Sequence, residues 1–511
     1  MKSNNNIKDK ETPKRFKLVS YCKEEWEIIK SILLELKNKC INEKLSVEQK
    51  FIELYSVIQK FQNKYRTKQY IPKKLNYLNK KNCIGLQKAI NSYFNDKSFF
   101  YLKLLPFIIE QALLIEERAK NKYGEQTLPL MPSTLPMKES FPKKLVLSIL
   151  SNNFFCNDQD YVSQLNPEQN KLTQIYEWNI VDWFALYSIE SSVAIQRIIC
   201  FLAYFDFAYK IFEIKNNYFE SDITVERIVF NFDEIKNKLL ECENVITEKD
   251  INIHCKDMDN PEIETQSIVN FANKNFQTGE IIPSATQEEV LFCVRPELYI
   301  AMFICQTVYK NEIIIISGAY KLMEYDGYLS TFTFKKFKDN IFIKDYNFKK
   351  YDNENVLCLD ATSGDHYYFD SVMQDISKFY SACNYSSKKY ENSGISTGSW
   401  GCGAFGCDKA HKFLQQLVCA EANNVKLSFS TFGNENYKND LIKLLKSVIK
   451  YKPKVKDLFK LIIDFKGNND EKFHEYLKGE LGDEFYLDKD ISPMYGFIDG
   501  IFSLINYKNF H

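Results

Sequence analysis

Two segments carry no polar/apolar alternation at all: EIIIIS at residues 312–317 and NVLCLD at 355–360. Such runs are stable as strands only where both faces of their sheet are covered. Two more β-type runs, IVNFAN (268–273) and VKLSFSTF (425–432), share the same half of the chain. Helical stretches lie between them, PELYIAMFICQTVY (296–309) and DKAHKFLQQLVCAEAN (408–423). Continuous apolar strands alternating with helices specify an α/β fold with a mostly parallel sheet layered on both sides.

The N-terminal half follows a different period. In CKEEWEIIKSILLELKNKC, Trp26, Ile29, Ile32, Leu33 and Leu36 fall on one helical face, and similar spacing runs from about 20 to 122. A loop punctuated by Pro129, Pro132, Pro136 and Pro142 separates it from a second helical block, about 143–215. The close, about 438–480, returns to helix. These shifts divide the chain into a disordered basic tail (1–18), a helical N-terminal extension (19–125), a helical accessory domain (126–235) and an α/β domain with C-terminal helices (236–511). No repeat of 20 to 50 residues is visible.

Charge demands no polyanionic partner, because 67 basic and 67 acidic residues cancel over 511 positions. The 14 cysteines include no CxxC pair and the five histidines are scattered, which argues against zinc. Dispersed thiols among apolar neighbours, no secretory core at the start and no run of about 18 apolar residues lead us to expect an intracellular protein, in nucleus or cytoplasm, without membrane, metal or cofactor.

Three places hold residues suited to chemistry. STGSWGCGAFGCDKAHKFLQQL (396–417) packs Gly398, Gly401, Gly403 and Gly406 into nine positions, then Asp408 as a helix N-cap. A glycine loop running into a helix N-terminus lets backbone N–H groups approach a phosphate. The alternative is a tight turn that binds nothing; four glycines with Trp400 and Phe405 favour the phosphate reading. In TGEIIPSATQEEVLF (278–292), Glu288 and Glu289 are adjacent. Neighbours on a helix point about 100° apart, so the two carboxylates serve separate roles, one as acid/base and the other orienting a hydroxyl or raising its neighbour's pKa. Spacing alone favours the plainer reading, a solvated first turn where the dipole favours Glu. Tyr325, Tyr328 and Phe432 near strand ends can stack on a base or cover a sugar, although core packing is the better reading of any single aromatic.

Together these segments resemble the poly(ADP-ribose) glycohydrolase family. QEE stands at Gln287–Glu289, and VNFAN at 269–273 resembles the family's Val-Asp-Phe-Ala-Asn. TGSWGCGAFGCD at 397–408 differs from the family's loop only at Ser399 and Cys407. RPEL (295–298), EYDGY (324–328), STFGN (430–434) and LSNNFFC (150–156) resemble further family segments, and the likeness runs from about 127 to 465.

The resemblance implies a macrodomain-like α/β/α three-layer core with a mixed sheet and a mainly helical N-terminal accessory region. It also implies hydrolysis of the ribose–ribose O-glycosidic bonds of poly(ADP-ribose) on modified proteins, releasing ADP-ribose. By that likeness Glu289 is the acid/base, and Glu288 and Asn273 hold ribose hydroxyls. The loop Thr397, Gly398, Ser399, Trp400, Gly401, Cys402, Gly403, Ala404, Phe405 and Gly406 cradles the diphosphate. Tyr328 contacts the ligand, Phe432 packs on the adenosine, and Gln287, Asn270, Gly279 and Tyr325 join the ligand-binding positions. The N-terminal helical extension, which carries no motif, is open to a protein partner or to plain packing.

Two departures support other readings. Thr278-Gly279-Glu280 stands where the family has three glycines, and Asn270 where it has an Asp. A Glu side chain adds bulk and charge beside an anionic ligand, and Asn contributes no charge. A non-catalytic ADP-ribose binder or scaffold therefore competes with the active enzyme. A hydrolase acting on single ADP-ribosyl groups is a third reading.

Overall fold

The structure is a computed structural model that describes residues 15–66, 82–157, 183–260, 262–276, 285–348, 354–450, 452–465, 467, 472–473 and 476. Its centre is an eight-stranded sheet in the order β3-β4-β7-β10-β6-β11-β12-β5. The strands are β3 Met137–Pro142, β4 Asp222–Val229, β5 Ile251–His254, β6 Ser267–Ala272, β7 Glu312–Ser317, β10 Asn355–Asp360, β11 Gly394–Thr397 and β12 Lys426–Ser430. From β10 to β5 every pairing is parallel. The pairings of β3 with β4, β4 with β7 and β7 with β10 are antiparallel, so the sheet is mixed.

The unbroken isoleucine run of β7 is explained by its place. Ile314 and Ile316 enter a core shared with the N-terminal helices, while Ile313 and Ile315 enter a second core beneath the C-terminal helices. β10 divides in the same way, with Val356 and Cys358 on one side and Leu357 and Leu359 on the other. This is a three-layer α/β/α arrangement, in which a two-sided apolar strand is the stable choice.

Several sequence boundaries shift. β3 and β4 belong to the large sheet although they precede residue 236, so the expected accessory domain is not purely helical. DITVERIV alternates as a half-buried strand does, but long helical runs surround it. Arg15–Lys17 form β1 against β2 (Thr127–Pro129), with Phe16 opposite Leu128, so the tail assigned to 1–18 is structured from residue 15. Phe16 and Leu18 are buried, which offsets the ordering of this basic stretch. The helix expected over 296–309 is a 3-10 turn, Pro296–Tyr299, continued only by Ile300–Ile304. Beyond it the backbone turns to pair elsewhere, Gln306 N–H with Met131 O and Val308 N–H with Lys274 O.

Among the described residues two helices are long and apolar enough to cross a membrane by length and composition, Lys97–Tyr123 and Ser192–Glu213. Scattered charges such as Lys103 and Glu110 interrupt the first, so no uninterrupted apolar run exists for a simple count to find. Most of each apolar window is buried inside the protein, as in core helices.

One buried ion pair locks the junction of β4 and β7. Arg227 donates to Glu312 and to the carbonyls of Gln306 (2.6 Å) and Met131 (3.3 Å). Glu312 also accepts from the N–H groups of Thr134 and Tyr309. Removing one member strands a buried charge, so Arg227→Met should cost about 3–5 kcal/mol. Urea titration of the two proteins measures this; a loss near zero would show that the pair does not hold the junction.

Candidate active site

The site lies at the carboxyl ends of the parallel strands, where open α/β sheets place their ligands. β6 ends at Ala272, just before Asn273, β11 runs into the glycine loop and β12 leads towards Phe432. β11 pairs with β6 only at Ile395–Ser267 and Ser396–Ile268, so the two strands part above that point. The Gln287 side chain fills the edge that opens. Its Oε1 accepts from Phe271 N–H (2.8 Å) and its Nε2 donates to Val269 O (2.9 Å). Gln287 is thereby committed to the strand rather than presented as a ligand contact.

That attachment sets the next two residues. Gln287–Val294 is a helix, and Glu288 turns into the interior beside β6. Asn270 Nδ2 donates to its Oε1 (3.1 Å) and Asn273 N–H to its Oε2 (3.3 Å). Burial first, and the neighbouring Glu289 carboxylate second, push the Glu288 carboxyl up to about 8. Glu289 is half-buried and takes part in a capping box, its Oε2 accepting from Thr286 N–H (2.8 Å) and from the Thr286 hydroxyl. The plain first-turn reading therefore holds for one Glu289 oxygen. The same helix start delivers two carboxyl groups in different environments, one buried and one accessible.

The aromatics enclose the other side. Tyr328, at the turn between β8 (Met323–Asp326) and β9 (Thr333–Phe337), meets Phe432 edge to face at 5.1 Å. Burial, and then the Glu289 carboxylate, push the Tyr328 hydroxyl up to about 12, which places this ring beside the acid. Phe432 is 48% exposed and adopts φ +50°, a left-handed conformation costly for an aromatic residue. Its N–H is held by Ser430 Oγ (3.1 Å). Tyr325 points elsewhere: its ring packs on Phe332 and lies 5.5 Å from the Lys321 ammonium.

In the glycine loop most side chains turn inward. Trp400 is buried, its indole N–H donating to Leu359 O (2.9 Å) and its ring covered by Lys412. The sequence expectation placed Trp400 with the ligand; the structure uses it to anchor the loop on β10. Thr397 Oγ1 donates to Gln416 Oε1 (2.7 Å), Ser399 Oγ to the Tyr437 hydroxyl (3.3 Å), and the Cys402 thiol faces the carbonyls of Trp400 and Asp408. Gly398 is pressed against Ser430 O, which an added Cβ would approach to 2.9 Å. Gly403 and Ala404 form the exposed tip, and a Cβ on Gly403 would meet nothing within 4 Å. The loop's own bonds use the N–H groups of Trp400, Cys402, Gly406 and Cys407. Those of Gly403 and Ala404 meet no acceptor among the described residues. Asp408 caps the following helix, Lys409–Ala422, by accepting from His411 N–H (2.8 Å). Gly279 and Glu280 lie outside the described residues.

Sequence reasoning missed the supports beneath these groups. Gln416 Nε2 holds Gly398 O (3.1 Å), Lys378 pairs with Asp360 at the end of β10, and Asp375 pairs with Lys412. Lys412 and Gln416 lie in the 396–417 segment and Asp360 ends NVLCLD, but only the fold brings each to its partner. Among the described residues no group of three or more His, Cys, Asp or Glu side chains converges to hold a metal ion.

An α/β/α sheet joined to a helical region, with an exposed glycine loop and adjacent carboxyls at the ends of its parallel strands, defines the class of protein. Residues 237–439 match the family model for poly(ADP-ribose) glycohydrolase, macro domain fold, and residues 93–227 match the model for its helical domain. The chain belongs to the poly(ADP-ribose) glycohydrolase family. It is 28% identical over 179 residues to poly(ADP-ribose) glycohydrolase 1 of Caenorhabditis elegans, covering 32% of this chain and 23% of that protein. It is 26% identical over 239 residues to probable poly(ADP-ribose) glycohydrolase 2 of Arabidopsis thaliana, covering 39% and 45%. The matches thus span less than half the length of either relative.

The raised Glu288 carboxyl has a consequence for stability. Folding favours its neutral form, so its contribution is complete below the ordinary value of 4.5 and is lost as pH rises through about 8. Glu288→Gln, neutral at every pH, should remove a slope of up to roughly 1.4 kcal/mol per pH unit in that window. Urea unfolding at pH 5 and pH 8 tests this, and parallel pH dependence in the two proteins would contradict it.

Proposed function

We propose that this chain hydrolyses the ribose–ribose O-glycosidic bonds of poly(ADP-ribose) and releases ADP-ribose, with Glu289 as general acid/base. The observation that carries the reading is the division of labour between adjacent carboxyls at the mouth of the parallel strands. Glu288 is pinned by Asn270 and Asn273 N–H and favours the neutral form, which suits it to hold a ribose hydroxyl. Glu289 faces the accessible side beside Tyr328. It protonates the departing 2′-oxygen and then takes a proton from the water that attacks the oxocarbenium-like sugar. The Thr286 hydroxyl both donates and accepts, so it can follow Glu289 through both protonation states. The exposed Gly403–Ala404 tip receives the diphosphate, and the Tyr328–Phe432 pair covers the adenosine side. This differs from glycosidases whose two carboxyls flank the bond.

One observation favours a second reading, an ADP-ribose binder without turnover. Asn270 is fully buried, carries no charge, and its Oδ1 has no partner among the described residues. Asn270→Asp separates the readings, because it should leave an active enzyme little changed and strengthen an impaired one.

Calorimetric ADP-ribose binding and ADP-ribose release from purified polymer, measured on one preparation, test the proposal. Glu289→Gln should lower release by at least ~100-fold while leaving ADP-ribose affinity within a few-fold, since the amide keeps the shape but delivers no proton. Normal release in that variant would remove Glu289 from its role. Gly403→Val should weaken ADP-ribose binding by at least ~10-fold with stability within about 0.5 kcal/mol, because the new side chain enters only the space the ligand takes. Unchanged affinity would move the diphosphate away from this loop.

A further inference from the structure

Behind the open tip of the glycine loop lies a nucleophile–base pair that the glycohydrolase reading leaves unused. Cys407 Sγ is 2.8 Å from His366 Nδ1, and His366 Nε2 is 2.5 Å from the carbonyl oxygen of Phe405. A carbonyl oxygen only accepts, so Nε2 carries the hydrogen. In the neutral ring Nδ1 is then the acceptor facing the thiol. A thiol aimed at a base that a third group orients is the arrangement that activates a cysteine. A cation stands on the same side: a Cβ built on Gly401 would lie 3.3 Å from Lys412 Cε and 3.4 Å from Cys407 Sγ. That ammonium is paired with Asp375, so His366 is the main support of the thiolate. Cys407 is 5% exposed and His366 is half-buried, so only a small reagent could reach the pair.

We propose that Cys407 is a peroxide-sensitive thiol that controls the glycine loop. The thiol proton passes to His366 Nδ1, the thiolate sulfur attacks one peroxide oxygen, and an S–O bond forms as the O–O bond breaks. Sulfur is oxidised by two electrons to a sulfenic acid and the peroxide is reduced. The departing oxygen takes the proton from His366 Nδ1 and leaves as water or alcohol. Packing sets the consequence. The Cys407 N–H closes the loop on Gly401 O (3.0 Å), and the space a Cβ on Gly401 (φ +76°) would take is bordered by Ala361, Lys412 and Cys407 Sγ. An added oxygen crowds this packing, and relief comes from a shift of Gly401 or from His366 releasing Phe405. Either shift displaces Gly403 and Ala404, the tip that receives the ligand. The effect on ADP-ribose rests on the proposed function; the thiol chemistry does not.

The test exposes the full chain to hydrogen peroxide, traps sulfenic acid with dimedone and locates it by peptide mass spectrometry. Cys407 should be labelled at least about tenfold faster than the buried Cys383 and Cys419, and His366→Gln should remove that advantage. Oxidised protein should bind ADP-ribose at least about tenfold more weakly, while Cys407→Ser binds as the unmodified chain does and ignores peroxide. Labelling of Cys407 no faster than of Cys383 would overturn the proposal, as would full affinity in protein labelled at Cys407. If the untreated chain binds no ADP-ribose, the glycohydrolase reading fails, and the order of labelling alone decides the thiol assignment.

Discussion

The site depends on one side-chain amide. Above Ile268 the strands β6 and β11 separate, and a parallel sheet that opens in this way exposes polar backbone on its inner edge. Gln287 answers both a donor and an acceptor on that edge, through Phe271 N–H and Val269 O. The crevice can then stay open without an orphaned backbone. The same contact fixes the rotation of the helix that begins at Gln287. Glu288 consequently falls against Asn270, and Glu289 falls about 100° away on the accessible side. A shift of one residue would put Glu289 in the buried place and Val290 in the accessible one.

Costly features collect around that crevice. Phe432 is held at φ +50° and Gly401 at φ +76°, in a region where most side chains strain the backbone. Glu288 is buried where its charged form is disfavoured. Groups beneath the surface support them: Ser430 Oγ holds Phe432 N–H, Gln416 and the Trp400 indole hold the glycine loop, and Asn270 and Asn273 N–H donate to Glu288. Rigid supports under strained, exposed elements are what a preorganised binding face requires. The two-sided core formed by β7 and β10 supplies that rigidity.

Much of the architecture was legible from hydrophobic period. The boundaries of β7 and β10 follow directly from EIIIIS and NVLCLD, and the helix after Asp408 follows from its cap and apolar spacing. The antiparallel edge of the sheet was not legible. β3 and β4 lie among helices in the sequence, and nothing local tells a strand which partner it will pair with. β1 was hidden in the same way, because a basic segment of mixed composition becomes a strand only when β2 receives Phe16.

The sequence by itself determined the two-sided strands, the glycine loop with its capped helix, and the QEE start of a second helix, because these depend on local period, backbone freedom and capping. Only the tertiary structure decided which carboxyl is buried, that Trp400 anchors the loop rather than facing the ligand, and that His366 meets Cys407 across 41 positions. Those outcomes follow from strand order and from the parting of β6 and β11. Both are set by how the layers pack, which no local pattern of residues encodes.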